Sequence, residues 1–107
     1  MKHKIEFYET SLKDLDEIYN YVLLNSFDIA TARNFVLDIV DYCKILNDNP
    51  LLGKELYLLE EKTKYRYLVY KKYLIFYVLK DKIPNIYRII NSRRDYIKIL
   101  FEDIIDN

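Results

Sequence analysis

The sequence predicts an α+β fold: an N-terminal strand, a two-helix antiparallel hairpin, an antiparallel β-meander and a C-terminal helix. Three observations predict it. Up to Pro50, apolar residues recur at the three- and four-residue spacing of amphipathic helices. After Pro50, segments rich in aromatic and β-branched residues alternate with short charged breaks, as strands and hairpin turns do. From residue 95 the helical spacing returns. Helices segregated in sequence from a meander imply that the helices cover one face of the sheet.

Each element has a local reason. Residues 2–8 alternate weakly and read as a short first strand. Thr10 or Ser11 can cap the helix that follows, and Asp14, Asp16 and Glu17 suit the positive end of its dipole. Leu12, Leu15, Ile18, Tyr19 and Val22 then mark its apolar face. Asn25–Asp28 interrupts the pattern, and Asp28 can cap a second helix, whose stripe is Ala32, Phe35, Val36, Ile39, Val40, Cys43 and Leu46. Asn47-Asp48-Asn49-Pro50 ends it, because the residue before proline disfavours helical backbone. Strands are expected over 65–70, 73–79 and 86–90, with Lys71-Lys72 and Lys80-Asp81-Lys82 as turns, and Leu56–Leu59 as an edge strand.

A length of 107 residues suits a single domain spanning 1–107, and 51% hydrophobic residues supply a core. One glycine and two prolines leave little room for linkers. No run approaches the ~20 apolar residues of a membrane span, and no apolar stretch follows the charged N-terminus as in a signal peptide. The expectation is a soluble, cytoplasmic protein with no membrane partner. The lone Cys43 fits a reducing compartment and sits in the helical stripe as a small core residue; the single histidine, His3, is distant in sequence.

A net charge of zero hides a division. Residues 1–53 carry five basic and nine acidic side chains; residues 62–98 carry eleven basic ones against only Asp81 and Asp95. Such a basic stretch suits a polyanion or an acidic protein segment. Lys64, Arg66, Arg88, Arg93 and Arg94 are therefore candidate target- or nucleic-acid-binding residues. Arg93-Arg94 precede a helix, where its dipole disfavours cations, so capping does not explain them; Asp95 is the cap and can pair with Arg94 or Arg66. Arg88, mid-strand, is either a solvated outward residue or functional. The alternating Tyr65/Tyr67 and Tyr73/Tyr77 sets read as core or half-buried sheet residues rather than as a base-stacking platform.

Several motifs in order carry a family resemblance. Asp14-Leu15-Asp16-Glu17-Ile18-Tyr19 with Tyr21, then Ala32 with Phe35, then Asn49-Pro50-Leu51-Leu52-Gly53 resemble the helical hairpin and exit turn of the RelE/ParE superfamily of type II toxin–antitoxin toxins, closest to the ParE-like members. Tyr65-Arg66, Tyr73–Val78 and Arg88–Tyr96 resemble the superfamily's central strands and the basic turn after the last one. The resemblance runs from about Leu12 to Leu100.

It implies a growth-inhibiting toxin of the plasmid-stabilisation kind, held inactive in a hetero-oligomer by a cognate antitoxin, with neither metal nor cofactor. ParE-like members inhibit DNA gyrase; RelE-like members cut mRNA on the ribosome. A metal-free ribonuclease needs acid–base groups and a phosphate-stabilising arginine. Arg66, Arg94 and Tyr96 are the catalytic candidates if this chain is one, with Lys64 and Lys54 in reserve. Leu74 stands where the ribonucleases carry an arginine, and Asn91 where relatives often have histidine. Those two positions favour gyrase binding and leave ribosome-dependent cleavage, or an inactive relative that retains antitoxin binding, as alternatives. By the same resemblance, the antitoxin tail is expected to wrap the acidic hairpin of Asp14, Asp16, Glu17, Asp38 and Asp41 and to lie near the basic sheet.

Overall fold

The computed structural model describes residues 4–105. The element order is β1 (Glu6–Phe7), α1 (Glu9–Ser26), α2 (Ile29–Cys43) with a 3-10 extension to Asn47, β2 (Lys54–Leu58), β3 (Glu61–Tyr70), β4 (Tyr73–Lys80), β5 (Ile83–Asn91) and α3 (Tyr96–Ile105). The five strands form one sheet in the order β1-β5-β4-β3-β2. β2 to β5 are an antiparallel meander, while β1 pairs parallel to β5, making the sheet mixed. The first strand is shorter than its expected span; part of that span, with His3, lies outside the described residues.

The three helices do not share one face. α1 and α2 pack on one side, where Leu15, Ile18, Ile39, Cys43 and Leu46 meet Leu68, Tyr73, Ile75, Tyr77, Ile86 and Ile89. α3 covers the other side, where Leu100, with Tyr96 and Ile99, meets Tyr65, Leu74, Phe76, Tyr87 and Ile90. β4 gives the reason. Every residue from Tyr73 to Val78 is buried, so both faces of this strand are apolar and each needs a cover. The tyrosine pairs on β3 and β4 lie in these cores, buried or half-buried, as sheet residues.

Local chemistry departs from expectation at the start of α1. Tyr8 is the N-cap and offers no side-chain cap. The Ser11 hydroxyl donates to the Tyr8 carbonyl at 2.7 Å, and that of Thr10 to the Tyr87 carbonyl at 2.7 Å. Thr10 thus ties the helix to β5 instead of capping it. Asp28 does cap α2: its carboxylate accepts from the Ala30 amide and, at 2.6 Å, from the Thr31 hydroxyl. The Thr31 bond, the larger cause, holds the Asp28 carboxyl below its usual value.

Two hairpin turns place both central residues in left-handed backbone without glycine. They are Leu59-Glu60 (φ 51° and 67°) and Asp81-Lys82 (φ 51° and 68°). That geometry matches the twist of the flanking strands, which is why it recurs despite its steric cost. The single glycine is used elsewhere. A Cβ on Gly53 would lie 2.5 Å from the Tyr77 ring and 2.6 Å from its hydroxyl. That hydroxyl accepts from the Gly53 amide and donates to the Pro50 carbonyl, each at 2.8 Å. The Pro-x-x-Gly segment is a socket for one buried tyrosine.

Candidate functional site

Asp14 and Arg88 lie 74 residues apart and meet at the junction of α1 and β5. Arg88 Nε donates to Asp14 Oδ2 at 2.8 Å and Arg88 Nη2 to Asp14 Oδ1 at 3.0 Å. The Ile89 amide adds a third bond to Oδ2 at 2.8 Å. Both side chains are largely out of solvent. A bidentate, desolvated pair with a backbone donor is a structural lock. It corrects two expectations: Arg88 is not a solvated outward residue, and Asp14 is not part of an acidic outer face. A β-bulge at Tyr87, opposite the Phe76–Tyr77 step of β4, immediately precedes Arg88.

Beside this lock α1 and the end of β5 enclose an open cleft of about 430 Å³. Asp14, Glu17, Ile18 and Tyr21 line it from α1, Tyr73 from β4, Ile89 and Asn91 from β5, and Arg93 and Arg94 from the turn beyond. Its floor is apolar, since Ile18, Tyr73 and Ile89 are buried core residues. Its rim is charged, with Glu17 on one side and two arginines on the other.

Asn91 fixes the arginine side. Its side-chain carbonyl accepts from the Arg93 amide at 2.9 Å, and its backbone carbonyl from the Arg94 amide at 3.0 Å. Its side chain also hydrogen-bonds the Tyr73 phenol. Burial pushes that phenol above its usual value, the Asn91 bond opposes the rise, and the nearby Tyr21 hydroxyl adds to it. Tyr73 is thus a neutral hydrogen-bonding group at physiological pH. This role for Asn91 was not read from the sequence; an Asn placed two residues before a turn amide is the Asx signal that would have revealed it. Neither Arg93 nor Arg94 has a carboxylate partner among the described residues. Asp95 pairs with neither Arg94 nor Arg66; it accepts from the Lys98 amide at 3.1 Å and caps α3 as expected.

The catalytic candidates do not gather in this cleft. Arg94 lines it. Arg66 is held elsewhere: Nη1 donates to the Gly53 carbonyl at 2.8 Å and the Leu51 carbonyl at 3.2 Å, and Nη2 lies 3.5 Å from Glu55. Tyr96 packs on the α3 side of the sheet, its ring 5.8 Å from that of Phe76, whereas Tyr73 and Ile89 in the cleft floor belong to the core on the hairpin side. Lys64 is exposed on β3 beside the Tyr65 ring, and Lys54 is exposed on β2. Leu74 lies in the α3-side core. Cys43 is buried, and burial pushes its thiol up to about 12, so it stays protonated. Among the described residues no three His, Cys, Asp or Glu side chains form a metal cluster, and no helix is long and apolar enough to cross a membrane.

Comparison with known proteins supplies relatives. A family model described as the ParE toxin of the type II toxin–antitoxin system parDE matches residues 5–96. Among solved structures, the chromosomal ParDE toxin–antitoxin system of P. aeruginosa is similar, with 23% identity and a TM-score of 0.69 over 84% of this chain and 96% of that one. The RelBE2 toxin–antitoxin complex of Mycobacterium tuberculosis is similar at 17% identity and a TM-score of 0.62, over 85% and 92% of the two chains. At these identities the likeness is one of fold. No curated protein matches the sequence.

Proposed function

The chain belongs to the family of ParE toxins of type II toxin–antitoxin systems, and from that premise we propose that it arrests growth in the bacterial cytoplasm by binding DNA gyrase. Under this reading residues 1–107 act as one toxin domain, a cognate antitoxin neutralises it in a hetero-oligomer, and the pair serves plasmid stabilisation.

The observation that carries the choice of target is the dispersal of the catalytic candidates. A metal-free ribonuclease must bring a phosphate-binding arginine within reach of an acid–base group around one reacting atom. Here Arg66 is bonded to the Pro50–Gly53 segment and Glu55, Arg88 is bonded to Asp14, and Tyr96 packs on Phe76 away from Arg94. A binding surface needs no such convergence, and Arg93 and Arg94 remain available for contact with a target. Lys64, also exposed, is a secondary contact.

The test is a supercoiling assay with purified gyrase and purified protein. Inhibition of supercoiling, with a reporter mRNA left intact in a translation extract, is the expected result. Ribosome-dependent cuts in that mRNA would transfer the chain to the ribonuclease reading. No effect in either assay would mark a relative that retains only antitoxin binding.

A further inference from the structure

The third helix is covered on one side only. Its inner face is settled: Leu100 is fully buried, and Tyr96 and Ile99 pack beside it in the core that holds Phe76, Tyr87 and Ile90. Its outer face divides lengthwise. Ile97 and Phe101, four residues apart, form an apolar half and are 46% and 39% exposed. Lys98 and Glu102, one position further on in each case, form a charged half and are exposed as well. Lysine and glutamate four residues apart can reach each other, but a helix favours the contact less in this order, and neither forms an ion pair among the described residues. An apolar stripe flanked by opposite, unpaired charges is the pattern by which paired helices choose partner and orientation.

We propose that the outer face of α3 is a contact between two copies of this chain, paired antiparallel about a two-fold axis. Such an axis lays each half of the face on its own equivalent. Ile97 of one copy meets Phe101 of the second copy, and Lys98 meets Glu102 of the second copy; by symmetry each contact occurs twice. A parallel pair would set the charged half against the apolar half and desolvate both charges without a partner. The chemistry selects a second copy as the occupant. Nucleic acid fits poorly, because Lys98 is balanced by Glu102 and lies beside apolar side chains. A second copy supplies both charge signs and the apolar stripe at the required spacing. The contact is small. A helix of ten residues is about 15 Å long, so the pair buries well under the roughly 1,600 Å² of a standard interface, and the dimer is weak. The proposal goes beyond the toxin reading and does not depend on it, because α3 lies on the sheet face opposite the helical hairpin.

The test is sedimentation equilibrium of the purified full chain from roughly 1 to 500 µM. A monomer–dimer equilibrium with a Kd of roughly 10–100 µM is expected. Ile97→Asp with Phe101→Asp is expected to weaken it roughly 10-fold or more. Lys98→Glu alone, or Glu102→Lys alone, turns both symmetric ion pairs into repulsions and is expected to weaken it roughly 5-fold. The decisive step mixes those two single variants, one carrying an N-terminal fluorophore. In the mixed pair every contact again joins opposite charges, so a heterodimer is expected at an affinity within about 3-fold of the unmodified chain. Lys82→Glu, in the β4–β5 turn, makes the same charge change elsewhere and is expected to alter dimerisation by less than about 3-fold. A chain that stays monomeric throughout overturns the proposal. So does a dimer indifferent to Ile97→Asp with Phe101→Asp, which would place the contact elsewhere, and so does a mixture that associates no better than its components. Circular dichroism separates lost contact from lost fold. The charge exchange decides the matter even where the double aspartate variant loosens α3, because Lys98 and Glu102 are exposed.

Discussion

Two arginine pairs occupy one basic stretch and behave oppositely. Arg66 and Arg88 each meet fixed partners: carbonyls of the Pro50–Gly53 segment and Glu55 for the first, the buried Asp14 for the second. Arg93 and Arg94 sit in a turn shaped by Asn91, with guanidinium groups that no carboxylate in the described chain engages. The sequence alone presents four similar cations. Folding separates them, because what an arginine does depends on which carboxylate or carbonyl the topology brings to it. The first pair holds the scaffold; the second faces outward over a cleft.

The comparison can be broken most sharply at the Asp14–Arg88 lock. Arg88→Ala leaves a buried carboxylate without its partner and is expected to cost about 3–5 kcal/mol, read as a lowered midpoint in urea unfolding. A loss below about 1 kcal/mol would mean that water replaces the guanidinium freely. Next comes the socket. Gly53→Ala is expected to cost about 1–3 kcal/mol, because the new methyl meets the Tyr77 ring. Tyr77→Phe, which leaves the Gly53 amide and Pro50 carbonyl without their shared partner, is expected to cost about 1–3 kcal/mol. A double-mutant cycle should show the two effects to be non-additive; strict additivity would separate Gly53 from Tyr77.

The outward pair should answer differently. Arg93→Ala with Arg94→Ala is expected to shift stability by no more than about 0.5 kcal/mol while abolishing the proposed inhibition of gyrase supercoiling. Destabilisation on the Arg88 scale would erase the distinction between the pairs. At the small end, Glu60→Gly relieves a left-handed residue in an exposed turn and is expected to stabilise the fold by about 0.5 kcal/mol. The Cys43 thiol supplies a reporter for all of these. Being buried and protonated, it should react with a thiol reagent at pH 8 only as fast as the chain opens, and faster in Arg88→Ala.

Much of the fold was legible because periodicity and caps are local. The α2 stripe, the Asp28 and Asp95 caps and the charged hairpin turns can be read from a few adjacent residues. What escaped depends on distant partners. Asp14 reads as a dipole-favoured acid in a first turn, and nothing nearby announces an arginine 74 residues on. Thr10 reads as a cap, yet its hydroxyl meets a carbonyl at a β-bulge. The third helix could have been assigned to the opposite face from β4 alone, whose unbroken apolar run needs cover on both sides. Arg93 and Arg94 stood out because helix dipoles disfavour cations there, and the structure brings them to the cleft. Grouping Arg66 with Arg94 and Tyr96 required knowledge of sheet faces that an α+β pattern does not contain.

The parallel pairing of β1 with β5 sets a schedule for synthesis. Glu6 and Phe7 align with Asn85 and Ile86, so the β1 edge of the sheet closes only once β5 has been made. Contacts of such sequence separation form late, because the intervening loop must close before they contribute. A ribosome making this protein must therefore expose the chain through β5 before Arg88 can meet Asp14 and the cleft can take shape. Until then the β3–β4 hairpin and α1–α2 pair can form from local contacts, but the surface that α1 and β5 build together does not exist. Any effect of this protein on its own translating ribosome must wait for the last strand.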